Sequence, residues 1–195
     1  MGLRTPQEAI RSVTNPYKPI NAIRYVGKGV RLARFNQHDE FQKVEGRTIT
    51  LSSLKDVNDY RNHKPILYPM HCLNEDIKIG KKIVNPMREL FKFCYEEIYG
   101  YEVNDKLFGD SYKNCLGEGY SLRVNLDDGS EYILTYWPSN FELTVNHNNQ
   151  NQHSILSINQ HKMYDMLFDM HMDVNGWIDD GRAVDATNPL LKGKI

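Results

Sequence analysis

Tyr120-Ser-Leu-Arg-Val-Asn-Leu-Asp-Asp-Gly-Ser-Glu-Tyr-Ile-Leu-Thr-Tyr-Trp137 decides the fold class. Two runs of alternating apolar and polar residues flank Asp128-Gly129, and such a dipeptide between such runs signals a β-hairpin. A two-residue turn there pairs Val124 with Ile133, Leu122 with Thr135 and Tyr120 with Trp137, which gathers one apolar face. A three-residue loop over Pro138-Ser-Asn140 then pairs Ile133 with Val145 and Trp137 with Phe141, keeping Leu143 on the same side. Ile155 to Ile158 supplies a further short strand. Residues 120–158 therefore read as an antiparallel meander.

Helical signals stand on both sides of it. Asn85 and Pro86 form an N-cap and first helical residue, and Met87, Leu90, Phe91, Cys94 and Ile98 make a single stripe that Gly100 ends. A last helix is expected from about Asn159 to His171, with Met163, Met166, Leu167 and Met170 facing the meander. Ile77-Lys-Ile79 and Lys82-Ile-Val84 read as a hairpin around Gly80-Lys81. Upstream, Ile23–Val26, Val30–Phe35 and Arg47–Leu51 read as strands, Leu54–Arg61 as a short helix and Pro65–Pro69 as an extended linker. Residues 101–119 carry no periodic pattern. The expected class is α+β: a small antiparallel sheet packed by two or three helices in a single domain over 23–195. Residues 1–22, punctuated by Pro6, Pro16 and Pro19, form a basic, loosely ordered arm.

Composition narrows the setting. A chain of 195 residues buries about 70% of its unfolded surface, enough for an ordinary core without staples. The net charge of −1 offers no global attraction to nucleic acid or anionic membrane. Charge is nonetheless uneven: Arg4, Arg11, Lys18, Arg24, Lys28, Arg31 and Arg34 face one acid, Glu8, in residues 1–36. Asp165, Asp169, Asp173, Asp179, Asp180 and Asp185 face only Arg182 in residues 163–186. The two ends can attract, within a chain or between neighbours, or both can be solvated faces. Cys72, Cys94 and Cys115 lack CxxC spacing, the N-terminus lacks an apolar leader and no run approaches a membrane span, so reduced thiols in a cytoplasm are expected.

Motifs for chemistry are missing. His161 and His171 fall about 80° apart on a helix, a poor metal geometry. The Asp173–Asp180 run places its glycine at the fourth position and has no closing Glu, unlike a calcium loop. No nucleophile elbow, P-loop or HExxH occurs. No catalytic residue, metal or cofactor is assigned. The face of the meander opposite the apolar one carries Arg123, Tyr132, Leu134 and Tyr136, a stacking platform for single-stranded nucleic acid if Arg31 and Arg34 lie beside it. The competing expectation is that the Pro86 helix covers Tyr132, Leu134 and Tyr136. Protein contact or self-association through Arg4 and Arg11 of the arm and Trp177, Asp179 and Asp180 of the acidic tail is the preferred function.

Lys64-Pro-Ile-Leu-Tyr-Pro-Met-His-Cys-Leu-Asn74 and the Trp-anchored stretch His171-Met-Asp-Val-Asn-Gly-Trp-Ile-Asp-Asp-Gly-Arg-Ala-Val-Asp-Ala186 carry a resemblance. Together they resemble the small uncharacterised proteins of phages and prophages of gut Bacteroidetes. That resemblance implies a phage accessory role in an infected or lysogenic bacterial cell and no particular activity.

Overall fold

The computed structural model describes residues 22–55, 62–113, 119–138, 140–147 and 152–195. The basic arm, with Arg4 and Arg11, lies outside the described residues, as do residues 56–61 of the expected short helix. Among the described residues, eleven strands and two helices make an α+β protein: β1 Arg31–Phe35, β2 Phe41–Thr48, β3 His63–Leu67, β4 Ile77–Ile79, β5 Lys82–Val84, α1 Pro86–Tyr99, β6 Phe108–Lys113, β7 Tyr120–Asn125, β8 Ser130–Trp137, β9 Asn140–His147, β10 Gln152–Leu156, α2 Gln160–Asp169 and β11 Val184–Asp185. The chain forms two compact units, one taking it as far as Met70 together with Leu167–Ile195, the other spanning His71–Met166.

The second unit holds the meander, five antiparallel strands in the order β10-β9-β8-β7-β6. Its register corrects the expectation. Leu122 pairs with Leu134 and Val124 with Tyr132, one residue off the expected alignment. The hairpin loop has three residues, Asp127-Asp128-Gly129, because Leu126 N–H donates to Ser130 O (2.8 Å) and Gly129 takes the left-handed conformation at φ 81°. The next loop is shorter than expected, with Trp137 opposite Asn140 and Leu134 opposite Leu143. The two slips cancel for β7 and β9, so Leu122, Val124, Leu143 and Val145 are buried as anticipated. They invert β8, whose core side chains are Tyr132, Leu134 and Tyr136.

Helix α1 has the expected ends. The Asn85 side chain accepts from Arg88 N–H (3.2 Å), Pro86 opens the helix and Gly100 closes it at φ 78°. Met87, Leu90, Phe91 and Cys94 are buried, but Tyr95 takes the place expected of Ile98, which is half-exposed. The Phe91 and Tyr95 rings meet Tyr132 edge-on, at 6.2 and 5.7 Å between centroids. On the same unit, Gln160 of α2 grips β9 through both backbone groups of Phe141, accepting from N–H at 2.8 Å and donating to O at 2.6 Å. The Cys94 thiol lies 3.2 Å from Met163 Sδ, and burial pushes its pKa up to about 12, so it is an inert core residue. The β4–β5 hairpin has the expected register, Ile77 opposite Val84 around Gly80-Lys81.

In the first unit the sheet order is β11-β3-β1-β2, with β11 parallel to β3. Three expectations change here. Ala22–Tyr25 is a 3-10 turn instead of a strand, the strand expected from Arg47 begins at Phe41, and the expected linker around Pro65 begins as strand β3. β11 pairs only with Ile66 and Leu67, which among the described residues leaves β3 unpaired on that side at Pro65, where the backbone lacks a donor.

The Trp-anchored stretch closes this unit. Past α2 the chain turns left-handed at His171 (φ 59°), then Tyr68 N–H donates to His171 O (2.9 Å) and Asp173 N–H to Tyr68 O (2.8 Å). The buried Asp173 carboxylate accepts from Trp177 N–H (2.9 Å) and Ile178 N–H (2.7 Å), which seats the Trp177 ring 5.6 Å from Tyr25. Tyr25 hydroxyl donates to Met172 O at 2.7 Å. Met172, Tyr25 and Phe168 are buried with it.

Candidate functional site

Within each unit, the described residues singled out above have separate surroundings. Tyr132 and Tyr136 are buried, Tyr132 against α1 and Tyr136 beside Phe141 (5.0 Å), so neither ring offers a face to a base. The stacking platform is therefore corrected to core, and the register slip is the reason. Arg123 is on the opposite, outer face, paired with Glu131 at 2.9 Å. Trp177 is 5% exposed and structural. Asp179 and Asp180 are exposed, and Asp180 is bonded to Arg182. Arg31 donates to the carbonyls of Lys194 (2.5 Å) and Glu45 (3.2 Å), while Arg34 is an exposed residue of β1.

Two surfaces remain, one on each unit. The first is a sheet edge. β10 ends the five-stranded sheet with no further strand beside it among the described residues. Its pairing with β9 is regular over five residues, and Ile155, opposite Thr144, is 70% exposed. The outer face it belongs to continues inward as Thr144, Ile133 and Arg123, one residue per strand. Natural sheets protect edges with charge, proline, bulges or brevity. β2 carries Lys43, Glu45 and Arg47 and two register shifts, β6 has a shift between Phe108 and Ser111, and β11 has two residues. β10, Gln-His-Ser-Ile-Leu, has none of these devices.

The second surface is a basic row on the four-stranded sheet. Lys43, Arg34 and His63 are direct cross-strand partners on β2, β1 and β3, so their side chains share a face. His63 Nε2 lies 3.4 Å from Glu45 Oε1 and 3.1 Å from an Arg47 nitrogen, and Arg47 is bonded to the same carboxylate. Burial alone would raise the Glu45 carboxyl, but Arg47 and His63 together hold it below its ordinary value. The other face of this sheet is core, and Lys64, 1% exposed, lies there over the Phe35 ring at 4.6 Å with Asp39 at 3.4 Å.

A cleft of about 540 Å³ in the second unit is lined by acids, Glu89, Glu96, Glu102 and Asp105 among them, and Lys92 there is already bonded to Glu89 (3.1 Å) and Asp105 (2.7 Å). Among the described residues no three His, Cys, Asp or Glu side chains gather as metal ligands, and no helix is long and apolar enough to cross a membrane. Both surviving surfaces depend on strand register, which alternation in the sequence leaves one residue uncertain. Lys43 and His63 carried no motif signal, although the Gln-His-Ser-Ile-Leu run without a charge-bearing Lys or Glu was readable as an open edge. No family model, curated protein or solved structure matches the chain.

Proposed function

We propose that the protein is a non-catalytic accessory protein that acts by self-association, two copies pairing through the outer edges of β10. The observation that carries this reading is the β10 edge, which has no further strand beside it among the described residues and has Ile155 exposed near its centre. Pairing two identical antiparallel strands about a two-fold axis satisfies the outward backbone groups of both and places each Ile155 against the partner's outer face. The phage setting suggested by residues 64–74 and 171–186 makes such a dimer an accessory component of an infected cell. The buried Cys94 thiol agrees with a reducing cytoplasm.

Sedimentation equilibrium tests this directly. The parent protein is expected to be dimeric at micromolar concentration and Ile155→Lys monomeric but folded, because the site is exposed in the single chain. A monomeric parent, or a variant that remains dimeric, would refute β10 pairing.

A further inference from the structure

Lys43 and Arg34 set like charges directly opposite one another on neighbouring strands, with His63 facing Arg34 from the other side, a placement that is unfavourable without an anion nearby. Neither Arg34 nor Lys43 has an acidic partner or a side-chain hydrogen bond among the described residues. Edge protection accounts for Lys43 on β2 but not for Arg34, since β1 is an interior strand flanked by β2 and β3. Arg47 extends the row, and Arg31 lies close by with Nη2 on the Glu45 carbonyl, so one residue, Glu45, serves several cations.

We propose that this row binds the phosphodiester backbone of single-stranded nucleic acid. Three strands spaced about 4.8 Å apart carry Lys43, Arg34 and the imidazole of His63 in a line about 10 Å long, suited to consecutive phosphates rather than to one compact anion. Among the described residues no exposed aromatic or aliphatic anchor interrupts the row, whereas peptide partners draw most of their binding energy from such anchors. The row runs across the strands of a sheet, and its residues belong to no helix or two-stranded ribbon that could enter a duplex groove. Binding is therefore backbone-directed, indifferent to sequence and steeply dependent on salt. This site belongs to the first unit and the β10 edge to the second, and the proposal stands whether or not the protein dimerises.

The test is fluorescence anisotropy of a labelled oligothymidylate of about 20 nucleotides, titrated with protein from about 50 mM salt upward. The parent is expected to bind at low salt. Arg34→Gln with Lys43→Gln should weaken binding about tenfold or more and flatten the log–log salt slope by about 1.4, at about 0.7 for each phosphate no longer neutralised. Lys81→Gln with Lys82→Gln, two exposed lysines of the β4–β5 hairpin, should bind as the parent does. The single Lys43→Glu change on the edge strand should also weaken binding, without touching an interior strand. No binding at low salt, or an equal weakening in the hairpin variant, would overturn the site. Tighter binding to a duplex of equal length would overturn the single-strand assignment.

Discussion

Lys64 is the residue whose environment departs furthest from its sequence context. Its side chain is 1% exposed, and burial lowers its pKa from 10.5 despite the nearby Asp39 carboxylate. Between the lowered folded value and 10.5 the unfolded chain keeps its proton while the folded protein has lost it. The stability cost of burying the ammonium is thus present in full below the folded pKa and is relieved as pH rises toward 10.5. Lys64→Met should abolish this rise, seen as a stability difference between parent and variant that shifts in the parent's favour as pH rises toward 10.5 in denaturant titrations. At neutral pH the variant should lie within about 1 kcal/mol of the parent or above it, because the remaining Asp39 is partly solvated. A pH-independent difference would contradict the buried ammonium. Nothing local marks Lys64, which directly precedes the expected Pro65–Pro69 linker, and its burial follows from the pairing of Lys64 with Ala33. Trp177, by contrast, was legible as an anchor, although its partner Tyr25 was not, because about 150 positions separate them.

At the scale of elements, signals confined to a few neighbouring residues survive best. Asn85, Pro86 and Gly100 set both ends of α1, and Asn85→Ala should cost about 1 kcal/mol by denaturant unfolding, whereas a change below a few tenths would show the cap to be idle. The β4–β5 hairpin was equally legible because two residues must turn the chain between short apolar runs. The meander was legible as a meander but not in register. Asp127-Asp128-Gly129 allows a two-residue turn or a three-residue loop ending in a left-handed glycine, and that one-residue choice exchanges the two faces of β8. Arg123 keeps its outward place while Tyr132 and Tyr136 enter the core, which removes the stacking platform and leaves Ile133 to share the outer face with Ile155. β3 was hidden by its proline and β6 by a segment without alternation, so the four-stranded sheet was largely illegible and the five-stranded one lacked an edge.

At the scale of the molecule, an α+β class was legible and the way the chain divides was not. A unit built from the chain up to Met70 and the segment from Leu167 onward rests on the β11–β3 pair and the Tyr68–Met172 bridge, contacts between distant segments that periodicity does not encode. The function follows the same logic: the residues singled out by charge or aromatic character in the sequence turn out mainly as core, clasp or ion pair, and the available surfaces are a backbone edge and a register-defined row. The most direct measurement of the central claim is amide hydrogen exchange along β10, compared in dilute and concentrated protein. If two copies pair edge to edge, the amides of residues 154–156 that point away from β9 gain protection as concentration rises, while those of β9 stay unchanged. Fast exchange of the outward β10 amides at every concentration would contradict it.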